Sequence, residues 1–150
     1  MKDKISIVVG GSGQFGIYLS QLLLKKKYKV IITSRNIKLA KKKIPIKSKN
    51  LILKQINILN LEEIKKLILE NKPNIIFYFA SQSSPKLSFE KKKITLNSNY
   101  EGCKNFLKVI QKEGIDCKFI NATSCEIFSE TNKKINLKSK KKPISPYGKA

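Results

Sequence analysis

The fold is decided by the stretch ISIVVGGSGQFG, residues 5–16. Its first half is an almost continuous apolar run, which is typical of a strand buried on both faces of a parallel sheet. The overlapping stretch FGIYLSQLLLKKKY, residues 15–28, places apolar residues three or four apart and then reaches lysines, as amphipathic helices do. We therefore predict a strand, a glycine-rich turn and a helix in direct succession.

The turn between the strand and the helix carries glycines at every third position. Such a turn lets the backbone approach a pyrophosphate closely, and the N-terminus of the following helix then faces the phosphate charge. A purely structural turn is the alternative, which the strand-turn-helix context disfavours. We predict a dinucleotide site whose contacts come from Gly10, Gly13, Gln14, Phe15 and Gly16.

The rest of the chain alternates between strand and helix patterns. Apolar strands are predicted at 29–35, 51–59, 74–80 and 117–124, and amphipathic helices at 60–73, with Asn60 as the N-cap, and at 94–114. A polar, lysine-rich loop is predicted over 129–145. This order indicates one α/β domain over residues 1–150, a doubly wound parallel sheet of the Rossmann type that is truncated after the fifth strand. Ligands of such sheets bind at the C-terminal ends of the strands.

The formal net charge of +22 raises the question of a nucleic-acid partner. All but one of the 32 basic residues are lysines, in short runs beside apolar segments. Proteins that read nucleic acid favour arginine, so we predict solvated surface lysines and no nucleic-acid partner. A basic, noncatalytic nucleotide-binding domain that assists a nucleic-acid protein is the alternative from another functional class.

Membrane and metal functions find no support in the composition. No apolar run approaches the roughly 18 residues of a membrane span, and the N-terminal residues do not form a signal-peptide pattern. We expect a cytoplasmic protein without a membrane partner. The chain has three widely spaced cysteines and no histidine, which indicates reduced thiols and no metal site.

The end of the second predicted strand indicates which dinucleotide binds. Chains that bind NAD usually carry an acidic residue there, which accepts hydrogen bonds from the ribose hydroxyls. Here the strand ends Thr33-Ser34-Arg35, and Arg35 is the only arginine of the chain. Because a guanidinium suits the 2′-phosphate, we predict NADP as the cofactor. A surface arginine at this position by chance is the alternative.

Five motifs now stand in one order along the chain. They are the glycine turn, FYFASQSS at 77–84, NYEGCKNFL at 99–107, NATSCEIF at 121–128 and SPYG at 145–148. In this order the sequence resembles the extended short-chain dehydrogenase/reductases, the family of nucleotide-sugar epimerases and dehydratases. Within that family it looks most like the GDP-mannose 4,6-dehydratases. The resemblance spans the whole chain but covers only the N-terminal half, or less, of such an enzyme.

The resemblance implies three catalytic residues. Ser124, with Thr123 as the adjacent candidate, matches the residue that hydrogen-bonds the 4-hydroxyl of the sugar. Tyr147 matches the catalytic tyrosine, and the lysine that assists it would follow one position beyond Ala150. The expectation is therefore an incomplete NADP-binding domain that is inactive as 150 residues. Glu126 matches the acid of the dehydratases, and epimerases that resemble this chain lack an acid there. A loop carboxylate that pairs with one of the many lysines is the alternative for Glu126.

The resemblance also implies further contacts and leaves alternatives. A 4-epimerase or reductase of the same family remains open, as does a noncatalytic stub that only binds NADP. The full-length enzyme is expected to be a homo-oligomer that converts GDP-mannose into its 4-keto-6-deoxy product. A surface lysine is the alternative for Lys86, and this chain has Asn57 where the family usually has an aspartate. The implied cofactor contacts are Asn57, Ile58, Ala80, Ser81 and Tyr147, and the implied substrate contacts are Ser83, Lys86 and Ser124.

Overall fold

A computed structural model describes residues 4–128 and 134–150 of the chain. Part of the predicted polar loop, residues 129–133, therefore lies outside the described residues. The described strands pair in parallel in the order β3-β2-β1-β4-β5, which confirms the predicted doubly wound sheet. These strands are β1 (Ile5–Val9), β2 (Lys29–Ser34), β3 (Leu51–Gln55), β4 (Ile75–Tyr78) and β5 (Lys118–Asn121).

Helices connect the strands and cover both faces of the sheet. No helix in residues 4–128 or 134–150 has the length and apolar character that crossing a bilayer requires. A π-helical turn, Leu96–Glu101, joins α5 to α6, and a 3₁₀ turn, Cys125–Ile127, follows β5. The helices are α1 (Gln14–Lys25), α2 (Ile37–Lys43), α3 (Leu61–Asn71), α4 (Pro85–Glu90), α5 (Lys92–Thr95), α6 (Gly102–Lys112) and α7 (Pro146–Lys149).

Alternate residues of the buried strands pack on opposite faces of the sheet. Ile7 and Val9 belong to the core cluster that contains residues of α3 and α6, whereas Val8 packs with residues of α1 and α2. Burying one such side chain contributes roughly 1.5–3 kcal/mol, which explains why β1 is apolar at successive positions. Because β2 lies on one side of β1 and β4 on the other, the chain reverses its winding at the C-terminal end of β1. That end is where ligands of doubly wound sheets bind.

The structure corrects several predicted boundaries. The third strand, predicted over 51–59, ends at Gln55, because the side-chain oxygen of Asn57 accepts from the Leu59 N–H (3.0 Å) and turns the chain. The oxygen of Asn60 then accepts from the N–H of Glu62 (3.0 Å), and this contact confirms Asn60 as the predicted N-cap. The helix predicted over 94–114 contains the π-helical turn, and α2, α4 and α7 were not predicted.

Candidate active site at the C-terminal edge of the sheet

The glycine turn after β1 requires glycine at two positions for steric reasons. Gly10 has a φ of +72°, and a Cβ built on it would lie 2.7 Å from the Cα of Ala80, at the end of β4. A Cβ on Gly16 would overlap the backbone of Gly11, so the helix can lie against the turn only without one. Gly13 is different, because a Cβ there would meet no atom closer than 3.6 Å. The space beside Gly13 is therefore open on the protein side.

The N-terminus of α1 offers a set of hydrogen-bond donors suited to phosphate. Its N-cap residue is Gly13, which makes no side-chain capping bond, and the first turn carries no acidic residue. The first N–H groups of a helix have no partner within the helix, and the helix dipole adds positive potential there. An anion at this position would find both donors and favourable charge. These residues fit the pyrophosphate of a dinucleotide.

Arg35 follows β2 at the same edge of the sheet. Its side chain is exposed, and no carboxylate among residues 4–128 and 134–150 lies within ion-pair distance of it. The next residue, Asn36, caps α2 by accepting from the Leu39 N–H at 2.9 Å. Arg35 therefore directly precedes the N-cap of a short helix, and its guanidinium has no acidic partner in the described part of the chain.

A large open cavity, about 1120 Å³, lies along α1 and at the ends of β4 and β5. It brings together the glycine turn, the segment after β4, the segment after β5 and α7. Nine of the residues predicted for the site line it: Gly10, Gly13, Gln14, Phe15, Gly16, Ser81, Ser83, Ser124 and Tyr147. Six others are absent from its lining: Arg35, Asn57, Ile58, Ala80, Lys86 and Glu126.

Local turns shape the segment of Ser124 and the helix of Tyr147, which lie against each other. The Ser124 hydroxyl oxygen accepts from the Glu126 N–H at 3.3 Å, and the Ser145 hydroxyl oxygen accepts from the Gly148 N–H at 3.0 Å. Gly148 packs directly on the backbone carbonyl of Glu126, at a place that a Cβ could not share. Each predicted catalytic segment is therefore shaped by its own local turn, and the two segments are in close contact at Gly148.

The residues that do not line the cavity have other surroundings. Ala80 gives the backbone that Gly10 approaches, so it lies beside the cavity without facing it. Asn57 forms the turn before α3 with its own side-chain oxygen, and Ile58 packs against the core. Lys86 is exposed on α4. Glu126 is half-buried, and its carboxylate is not among the groups that face the cavity.

Sequence reasoning missed part of the cavity lining. Asn99 lines the cavity from the π-helical turn, although the motif that contains it was recognised without assigning it a role. The face of α1 that carries Tyr18, Leu19 and Leu22 also lines it. Their spacing of one, three and four residues is the helical signal that could have identified this face, together with its position directly after the glycine turn.

Comparisons with known proteins point to a family and a fold. A family model described as GDP-mannose 4,6 dehydratase matches residues 7–150. The GDP-mannose 4,6 dehydratase of Drosophila melanogaster is 29% identical over 140 residues, which cover 86% of this chain. The UDP-glucose 4-epimerase of Thermus thermophilus, solved in complex with NAD, superposes with a TM-score of 0.82 at 20% identity over 97% of this chain. Pal from Bacillus thuringiensis superposes with a TM-score of 0.87 at 21% identity over 97% of it.

The chain spans less than half the length of these proteins. It covers 35% of the fly protein, 46% of the Thermus epimerase and 47% of Pal. At such low identity the structural likeness shows the fold, and it confirms the Rossmann-type prediction.

Proposed function

Because the chain belongs to the GDP-mannose 4,6 dehydratase family, we propose that residues 1–150 are the NADP-binding part of a nucleotide-sugar 4,6-dehydratase that acts on GDP-mannose. Family membership confirms the resemblance to nucleotide-sugar epimerases and dehydratases. The single observation that carries the proposal is the cavity itself. It joins the phosphate-binding turn to Ser124 and Tyr147 at one edge of the sheet.

NADP, when bound, would supply the hydride acceptor for C4 of the sugar and the hydride donor for C6. The residues of this chain hold the cofactor and move the protons. The donors at the start of α1 bind the pyrophosphate, and Arg35 binds the 2′-phosphate. Ser81 holds the cofactor from the end of β4, and Ser83 holds the sugar from the same segment.

Tyr147 and Ser124 act on the 4-hydroxyl group of the sugar. The phenolic oxygen of Tyr147 accepts the hydroxyl proton while C4 loses its hydride. Ser124 already accepts a hydrogen bond from the Glu126 N–H, so its own hydroxyl hydrogen is available to donate to the sugar oxygen. The two groups therefore have complementary roles, one accepting a proton and the other supplying a hydrogen bond.

Glu126 distinguishes dehydration from simpler reactions of the family. Once C4 is a ketone, the proton on C5 is acidic, and a carboxylate can take that proton and pass it to the C6 oxygen, which leaves as water. Addition of a hydride from the reduced cofactor to C6 and of a proton to C5 would then give a 4-keto-6-deoxy sugar without net oxidation. The 4-epimerisation of a nucleotide sugar is the second candidate function, because it needs no such carboxylate and Glu126 does not face the cavity.

The deciding experiment is Glu126→Gln in the protein at its natural length, with GDP-mannose as substrate. An amide cannot act as a base, so oxidation at C4 should proceed while elimination slows on the order of a hundredfold or more. We expect NADPH to accumulate on the enzyme, seen by its near-ultraviolet absorbance, with almost no 6-deoxy product released.

The matched control is Glu90→Gln, which makes the same change at an exposed carboxylate on α4. It should release 6-deoxy product at the wild-type rate. Normal product release by Glu126→Gln would refute the assigned role of Glu126. If Glu126→Gln and Glu90→Gln both formed a sugar inverted at C4 instead, the epimerase function would replace the dehydratase function.

A further inference from the structure

The π-helical turn between α5 and α6 lies against the end of β4. The Gly102 N–H donates to the Asn97 carbonyl, five residues back, instead of the four of an α-helix. A π turn inserts one residue and rotates the following side chains, and such turns are frequent at functional sites. Here the inserted turn directs two consecutive residues, Ser98 and Asn99, to the segment that leaves the sheet.

One contact fixes the turn to the core. The hydroxyl of Tyr78, the last residue of β4, donates to the Ser98 carbonyl at 2.6 Å. Burial raises the pKa of the Tyr78 phenol, as does the neighbouring Cys103 thiol to a smaller extent, so the group remains a donor. A Cβ on Gly102 would overlap the Tyr78 hydroxyl, so the contact depends on that glycine.

A second contact fixes the segment after β4 to the turn. The side-chain oxygen of Asn99 accepts from the Gln82 N–H at 2.9 Å, and its amide nitrogen donates to the Gln82 carbonyl at 3.1 Å. The Ser98 hydroxyl oxygen also accepts from the Gln82 N–H, at 3.1 Å. One asparagine side chain therefore pairs with both backbone groups of Gln82, as a neighbouring strand would.

The Asn99 contact reaches both cavity-lining serines through Gln82. The side chain of Gln82 bonds to both backbone groups of Ser84, the residue that caps α4. Ser81 and Ser83 flank Gln82, and within residues 4–128 and 134–150 their side chains make no hydrogen bond. The position of these two hydroxyls therefore depends on the backbone of Gln82.

We infer that Asn99 is a positioning residue, which holds Ser81 and Ser83 at the cavity so that the cofactor and the sugar can bind. Asn99 acts through Gln82, whereas Ser124 and Tyr147 approach the sugar from other segments. The inference rests on the proposed function for the identity of the two ligands. It predicts that loss of Asn99 weakens binding and leaves the chemical step largely intact.

The test is Asn99→Ala in the protein at its natural length, with NADPH affinity measured by fluorescence titration and with KM and kcat measured for GDP-mannose. We expect the Kd for NADPH and the KM for GDP-mannose to rise about tenfold, which corresponds to a loss of about 1.4 kcal/mol of binding free energy. The kcat should stay within about twofold of the wild-type value. The control is Asn71→Ala, which removes an amide-to-carbonyl bond of 2.7 Å on α3, away from the cavity. It should change neither constant.

Different outcomes separate the inference from the proposed function. An unchanged Kd for NADPH in Asn99→Ala, or a loss of kcat without change in Kd or KM, would overturn the inference whatever the sugar substrate is. Absence of turnover of GDP-mannose by the wild-type protein would overturn the proposed function, and the NADPH titration would still decide the role of Asn99. If Asn99→Ala does not fold, Asn99→Asp keeps the acceptor for the Gln82 N–H and should show the same rise in Kd to a smaller extent.

Discussion

Replacing Gly10 with alanine should destabilise the protein more than replacing Gly114, although both glycines have positive φ angles. The φ of Gly10 is +72° and that of Gly114, which follows α6, is +59°. A Cβ on Gly10 would lie 2.7 Å from both the N and the Cα of Ala80, whereas a Cβ on Gly114 would have no atom within 4 Å. The pair therefore separates backbone strain from steric overlap.

The magnitudes follow from these two terms. A left-handed backbone costs an L-residue roughly 1–2 kcal/mol, and this term should be common to both variants. Forcing extra volume into a packed site typically adds about 1–3 kcal/mol, and this term applies to Gly10 alone because the contact is with backbone. We expect the free energy of unfolding to fall by about 1–2 kcal/mol for Gly114→Ala and by about 2–5 kcal/mol for Gly10→Ala.

Urea unfolding followed by circular dichroism measures both values. Parallel transitions with equal m-values would show that the difference comes from stability and not from a change in compactness. In a protein with about 5–15 kcal/mol of stability, the Gly10 variant would lose a large fraction. Equal losses for the two variants, within about 0.5 kcal/mol, would refute the claim that Ala80 closes the space beside Gly10.

Two further predictions concern the cofactor. Gly13→Ala should leave the unfolding midpoint unchanged, because a methyl group there meets no protein atom closer than 3.6 Å. The same change should raise the Kd for NADPH at least about tenfold, because the methyl group blocks the approach of the phosphates. An unchanged Kd in the fluorescence titration would contradict the phosphate site. The wild-type protein should bind NADPH more tightly than NADH, and Arg35→Asp should reverse that order, because a carboxylate repels the 2′-phosphate and accepts from a ribose hydroxyl. The control Lys49→Asp makes the same charge change before β3, at the opposite edge of the sheet, and should still bind NADPH more tightly than NADH. Equal Kd values for the two cofactors in the parent protein would refute the assignment to Arg35.

Local signals explain which parts of the fold could be predicted from the sequence. The glycine turn has a local signal in its spacing between an apolar run and a helical pattern, and the N-cap at Asn60 and its helix also have local signals. The central strands β1 and β2 are buried on both faces of the sheet, so their apolar runs were visible without knowledge of their partners. Strand ends were placed less well, because turns such as the one formed by Asn57 compete with sheet pairing for the same backbone groups.

The π-helical turn could not be predicted from local signals. Apolar residues recur at helical spacing through this segment, so the pattern indicated one continuous helix. The inserted residue is accommodated by contacts with β4 and the segment after it, from Tyr78 to Ser98 and from Asn99 to Gln82, over 17 to 20 positions of sequence. Gly102 permits the first contact by lacking a side chain, a role that its sequence neighbours do not reveal. Tertiary packing therefore determined the feature on which our inference about Asn99 depends.

The position of Glu126 shows the same limit at the site itself. Spacing in the motif relates Glu126 to Ser124, but the direction of its side chain is set by the 3₁₀ turn that Ser124 caps. The 3₁₀ turn also packs against α7, where Gly148 contacts the Glu126 carbonyl. A carboxylate two residues from the serine can therefore serve as a base only if these contacts allow it to face the sugar beside Tyr147. The proposed choice between a dehydratase and an epimerase thus depends on how the turn of Glu126 packs against α7, and Glu126→Gln tests through its product whether the carboxylate takes part in the reaction.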